Sequence, residues 1–197
     1  MYRTVVSILF LSGFIMTGNT QPANNPLFFP AINTFTVSDV QQQKGVVLNK
    51  GDKQLILFVF MSPECPVCQN YTKVLNDIQQ QYNGQVQVYG IVPGMAYSAK
   101  DVVVFQKKYA TGFSFFIDKK MELTKYLQAT VTPQVILLNN NMQLMYSGAI
   151  DDWAITLGKK RAQASQHFLK DAIEQSLHHI PVLIANTKPV GCKINDY

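Results

Sequence analysis

A chain of 197 residues, 47% hydrophobic and 15% charged, has room for one packed domain plus some additional segments. Its formal net charge is +5, and the basic residues are scattered apart from Lys159-Lys160-Arg161. A nucleic-acid binder shows a clustered basic patch, so that class is set aside and the charge is read as a solubility feature.

In chain order, Arg3 precedes a nearly unbroken apolar run over residues 5–16, followed by the polar Thr17-Gly18-Asn19-Thr20. A positive start, a short apolar run and small residues after it describe a secretory signal peptide, assigned to residues 1–23. The run is short for a membrane span, so no stable span is expected after cleavage; an uncleaved anchor is the alternative. Cleavage falls between residues 17 and 23 without a clean A-x-A site, and no cysteine follows for lipid attachment. Export makes the protein periplasmic or secreted and places its cysteines in an oxidising compartment.

Residues 24–34, rich in Asn and Pro, read as a lead-in arm; residues 35–49, with Gly45-Val46-Val47-Leu48, read as an early strand or hairpin. Residues 55–61 are seven consecutive apolar residues, which suits a strand buried on both faces. Ser62 and Pro63 end it, and Tyr71, Val74, Leu75, Ile78 and Tyr82 then recur at helical spacing. Cys65 and Cys68 therefore lie where a buried strand hands over to a helix, in its first turn.

That position favours redox chemistry. Unpaired N–H groups and the positive dipole end stabilise thiolate over thiol, so a cysteine there attacks disulfides near neutral pH. The second thiol, about one turn away, can resolve the mixed disulfide formed by the first. Cys65 is read as the exposed nucleophile and Cys68 as the resolving thiol, with Pro66 suited to the first helical turn. A structural disulfide or a zinc half-site is the alternative; zinc needs two further ligands, and His167, His178 and His179 lie far along the chain.

Beyond the helix, residues 85–92 form a second core strand broken by Pro93-Gly94, and residues 98–109 a helix with Ser98 as N-cap. Residues 113–117 read as an aromatic strand and residues 119–127 as a short helix. The Asn139-Asn140-Asn141 link between apolar residues 135–138 and 142–147 marks a hairpin. Residues 162–178 read as a final amphipathic helix, with Ala164, Phe168, Ala172, Ile173 and Leu177 inward. The tail, residues 181–197, reads as irregular and carries the third cysteine, Cys192. This accessory thiol has three readings: unpaired, linking two chains, or exchanging with the Cys65–Cys68 pair. Glu64 would raise the nucleophile's pKa if close, but reads as a solvated helix-start residue. His167 reads as a surface or packing residue and Trp153 as core, and neither Asp151 nor Asp152 as catalytic. The element order implies an α/β fold, a mixed sheet with helices on both faces, over residues 24–180.

The C-x-x-C after a buried strand, with Thr132-Pro133 opening a hairpin about 65 residues later, resembles the thioredoxin fold. The likeness covers roughly residues 35–177 and is nearest to exported redoxins of the thiol-disulfide isomerase and thioredoxin-like group, relatives of the alkyl hydroperoxide reductase and thiol-specific antioxidant family. The resemblance implies a three-layer α/β/α architecture and a cis Pro133 lying against the dithiol. It further implies that the backbone of Thr132 pairs with a substrate chain, so that Thr132, Pro133 and Pro66 are substrate-binding residues; the bland alternative for Thr132-Pro133 is an ordinary turn. The implied activity is thiol-disulfide exchange without a cofactor, on protein thiols or disulfides and with an electron-donor or acceptor protein, leaning toward reduction.

Two departures bear on alternatives. Pro66-Val67 stands where thioredoxin has Gly-Pro, and that dipeptide tunes the potential. Ser62 can stand for the Thr that peroxiredoxins place before their cysteine, but Phe58 occupies their Pro position and Arg161 is the one arginine outside the signal, which weakens a thiol peroxidase reading. A copper-handling protein is a further alternative, since soft thiolates suit Cu(I). Copper-delivering relatives, however, have three residues between their cysteines and a placed histidine, which this chain lacks.

Overall fold

The computed structural model describes residues 27–49 and 51–195; the signal peptide assigned to residues 1–23 lies outside them. The strands and helices are β1 (Thr36–Asp39), β2 (Gly45–Val47), β3 (Leu55–Phe60), α1 (Pro66–Gln81), β4 (Val86–Pro93), α2 (Ala99–Tyr109), β5 (Ser114–Asp118) and α3 (Glu122–Tyr126). They continue with β6 (Val131–Thr132), β7 (Gln134–Asn139), β8 (Leu144–Gly148), β9 (Ala154–Thr156), β10 (Lys159–Lys160), α4 (Phe168–Leu177) and β11 (Cys192–Lys193).

A seven-stranded mixed sheet runs in the order β2-β1-β5-β4-β3-β7-β8. β3 is its centre, parallel to β4 and antiparallel to β7. All six of its residues are buried, because helices and loops cover both faces. Leu55, Leu57 and Val59 face one apolar cluster with α1, α2 and α4. Ile56, Phe58 and Phe60 face a second with α3 and the segment 29–37. The α/β fold with a mixed sheet is thus present, its second helical layer reduced to one five-residue helix and a 3-10 turn at Pro30–Thr34.

The hairpins expected before β3 and after Pro133 are both present. The last helix is shorter than expected and starts at Phe168. The Asp152 carboxylate holds residues 161–166 as a loop: it accepts from Ser165 N at 2.7 Å, Ser165 Oγ at 2.6 Å and Gln166 N at 3.0 Å, and pairs with Arg161 Nε at 3.1 Å. These local bonds compete with helix formation. The helix expected from residue 119 begins at Glu122, after Met121 in the left-handed region (φ 57°). Asp118 Oδ2 accepts from both Thr124 N and Thr124 Oγ1 at 2.7 Å, anchoring its first turn. The β9–β10 hairpin carries no clear signal in the sequence; Lys160 Nζ lies 5.2 Å from the ring centre of half-buried Trp153, which packs edge-on against Tyr71.

The tail departs most from expectation. It carries a parallel bridge from Asn186 to Ser147 of β8 and the strand β11, antiparallel to β6. Its polar backbone is paired there, which composition alone does not reveal.

Leu57 is fully buried between β4 and β7. Leu57→Ala is expected to cost about 2–5 kcal/mol in chemical denaturation, whereas Val104→Ala on the exposed face of α2 should stay within about 0.5 kcal/mol of the parent.

Candidate active site

The end of β3 delivers the chain to the dithiol. Phe60 is in register with Ile91 of β4 and Gln134 of β7, and Met61–Pro63 then turn into α1. Cys65 N donates to the Ser62 carbonyl at 3.1 Å, and Gln69 Nε2 donates to the Pro63 carbonyl at 2.8 Å. Cys65 is the N-cap of α1, extended at φ −71° and ψ 116°, and its side chain makes no capping bond. Its sulfur therefore stands at the positive end of a 16-residue helix with no acidic residue in the first turn. Pro66 at the first helical position is exposed; Cys68, one turn in, is fully buried on the core face, and its sulfur accepts from Ser62 N at 3.4 Å. Glu64 points outward and accepts from Tyr97 Oη at 3.4 Å, the same hydroxyl that accepts from Ser62 Oγ at 3.0 Å.

Two further segments converge on Cys65. The Thr132-Pro133 peptide is cis, and the Thr132 carbonyl lies 3.2 Å from Cys65 Sγ. From the other side comes the tail. Cys192 and Lys193 pair antiparallel with Thr132 and Val131, Ile194 N donates to the Thr130 carbonyl at 2.9 Å, and Cys192 Sγ lies 2.7 Å from Cys65 Sγ. All three cysteines are free thiols. Gly191 makes this approach feasible, because a side chain there would overlap the Thr132 carbonyl and Pro133 N.

Two expectations need correction. Cys65, read as the exposed attacker, is only 2% exposed, because residues 191–193 lie over it. The backbone of Thr132, reserved by the resemblance for a partner chain, is taken by the protein's own β11. Beside this closure a cavity of about 260 Å³ remains, lined among others by Met61, Pro93, Tyr97, Thr132 and Ile194. Sequence reasoning singled out both cysteines of the motif, Thr132, Pro133, Pro66 and Cys192, but not the partnership of Gly191 with the proline loop; glycine directly before a lone cysteine was the available signal.

The sulfurs divide their protons unequally. Cys65 is held far below the ordinary thiol value, at about 5. The hydrogen bond from Cys68 is the largest cause; burial opposes it, and bonds from the Cys192 thiol and from the backbone of Cys68 and Cys192 reinforce it. Cys68 is pushed well up by burial, then by its bond to Cys65 and the negative charge there. Cys192 is pushed up to about 11, by burial first and then by the same bond and charge. At neutral pH the site is one thiolate, Cys65, receiving S–H bonds from two thiols; the Thr132 carbonyl can accept from Cys65 only in its protonated form. Among the described residues no group of three or more His, Cys, Asp or Glu is arranged to hold a metal ion. His167 and His178 lie at the two ends of α4.

Comparison with known proteins is consistent with this geometry. A family model for a thioredoxin-like domain matches residues 40–155. No curated protein matches the chain. A hypothetical protein from Sinorhizobium meliloti is similar in structure, with a TM-score of 0.72 and 24% identity over 81% of this chain and 89% of that one. An uncharacterized conserved protein from Geobacillus kaustophilus follows at 0.71 and 20%, over 83% and 88%. A secreted disulfide oxidoreductase from Mycobacterium tuberculosis matches at 0.50 and 14%, over 74% and 96%. At these identities the likeness concerns the fold.

Ultraviolet titration of thiolate in the reduced protein should show Cys65 losing its proton near pH 5, so the site carries its thiolate above that pH and loses it below. In Cys68→Ala the midpoint should move up, because the largest stabilising bond is gone. Gly191→Ala should lift the tail from Thr132-Pro133 and raise the rate at which iodoacetamide alkylates Cys65; a rate equal to the parent's would contradict the covering role of the tail.

Proposed function

Because the chain belongs to the thioredoxin-like domain family, we propose that it is an exported thiol-disulfide oxidoreductase acting on proteins through the Cys65-Pro66-Val67-Cys68 dithiol. The observation that carries this reading is the Cys65 sulfur at the N-cap of α1, beside the cis Thr132-Pro133 peptide, with the Cys68 thiol one turn behind it. Its low pKa makes it an attacking group at neutral pH and a good leaving group in the reverse direction.

In the reducing direction the Cys65 thiolate attacks one sulfur of a partner disulfide, whose other sulfur leaves as a thiolate and takes up a proton. Cys68 then loses its proton and attacks Cys65 Sγ. The partner's second sulfur departs, and a Cys65–Cys68 disulfide remains. The chemistry runs between sulfurs and needs no cofactor. The reverse sequence oxidises a partner dithiol. Stabilising Cys65 as a thiolate stabilises the reduced protein, which makes the dithiol more oxidising than one with an ordinary thiol; this sets the lean of the resemblance toward reduction against an opposing electrostatic effect.

Export rests on the signal peptide read in residues 1–23. It is supported by the fold shared with a secreted disulfide oxidoreductase, and among the described residues no helix is long and apolar enough to cross a membrane. The partners are protein thiols or disulfides, and a donor or acceptor protein completes the cycle.

Insulin reduction in the presence of dithiothreitol tests the reading. The parent chain should accelerate it and Cys65→Ser should not; equal rates would remove Cys65 as nucleophile. Equilibration with glutathione should place the potential above about −270 mV, the value of thioredoxin.

A further inference from the structure

The tail occupies the place that the proposed function needs for a partner. Cys65 is covered, whereas Cys192, its immediate neighbour, is half-buried. A partner must either displace the tail or react with the sulfur it presents. Displacement breaks two anchors. At the first, Thr187 N donates to the Ser147 carbonyl at 3.1 Å, Ser147 N donates to the Ala185 carbonyl at 3.0 Å, and Thr187 Oγ1 accepts from Ala149 N at 2.9 Å. A side chain at Gly148 would strike Thr187. At the second, β11 is paired with β6 and Gly191 is packed flat on Thr132-Pro133.

We propose that Cys192 is the sulfur through which the Cys65–Cys68 dithiol meets its protein partners, with the tail as a tethered strand that relays disulfide exchange outward. The inference rests on the oxidoreductase reading above and gives its site a third working sulfur. The oxidised chain carries a Cys65–Cys192 disulfide, formed when Cys192, giving up its proton, attacks Cys65 Sγ of a Cys65–Cys68 disulfide and Cys68 leaves and is protonated. That step moves the bond without net oxidation. A partner thiolate then attacks Cys192 Sγ, the bond to Cys65 breaks, and Cys65 departs as a thiolate. The partner's second thiol loses its proton and displaces Cys192, which takes one up. The partner has exchanged two thiols for one disulfide, and its two electrons now reside on Cys65 and Cys192. Attack at Cys192 is favoured twice, because it is the more accessible sulfur and because Cys65 is the better leaving group.

Two measurements on the full mature chain test this. Peptide mapping of Cys68→Ser, oxidised with glutathione disulfide and digested without reductant, should recover Cys65 linked to Cys192 as the main product; Cys192 recovered free or capped by glutathione would overturn the relay. This readout does not depend on activity toward any protein. In the insulin assay these steps run in reverse: Cys192, giving up its proton, attacks one insulin sulfur while the other leaves and is protonated. Cys65 then attacks Cys192 Sγ as the insulin sulfur bonded to it leaves and is protonated. Cys192→Ser retains the covering strand without its sulfur, and its rate should fall by about an order of magnitude. A rate at or above the parent's would make the tail a cover or a bystander and refute the relay, while the oxidoreductase reading would survive as long as Cys65→Ser stays inactive. Loss of all Cys65-dependent activity in the parent would instead sink the oxidoreductase reading, whatever the map shows.

Discussion

A buried negative charge is costly unless donors surround it, and the site is arranged around that requirement. Cys65 is almost wholly covered, yet it carries the low pKa of the three sulfurs. The start of α1 supplies oriented amides and dipole, Cys68 supplies an S–H from the core side, and Cys192 supplies another from the tail. The donors lie on α1 and on the tail, so the thiolate holds only while β3, which delivers the chain to α1, and these two segments keep their places. The complete burial of β3 between β4 and β7 fixes the first of these, and the pairing of β11 with β6 fixes the last. The neighbours pay for the charge on Cys65 with raised pKa values of their own, which makes the three sulfurs one coupled unit with a single easily lost proton.

Most of this frame is legible in the residues themselves. The run at residues 55–61 marks a strand buried on both faces, the spacing of Tyr71, Leu75 and Ile78 marks the buried stripe of α1, and Asn139-Asn140-Asn141 marks the β7–β8 hairpin. These signals are local and periodic. The cis geometry of Thr132-Pro133 was implied by resemblance and not by the residues, since an X-Pro bond looks alike in either isomer. What stayed hidden was tertiary. Residues 181–197 show no periodicity, and the pairing of Cys192 with Thr132 spans 60 residues. The loop before α4 was misread for a similar reason: Ala164 fits the helical spacing of its neighbours, but Asp152, thirteen residues before Ser165, captures the backbone amides that a helix would need.

The same covering strand alters how the dithiol motif should be understood. A C-x-x-C pair at a helix start implies an open nucleophile, and here the open position is filled by the chain's own backbone, paired antiparallel with Val131 and Thr132.

β8 is the last strand of the sheet, and its outer side would otherwise present unpaired amides and carbonyls. Two remote stretches close it in sections: Leu27 and Phe29 bond with Leu144 and Met142, and Ala185 and Thr187 with Ser147. Trimming the polypeptide before residue 185 would bare the Ser147 section of that rim and the thiolate at once, so a clipped molecule would be prone to stacking with its own kind just as its sulfur became free to cross-link.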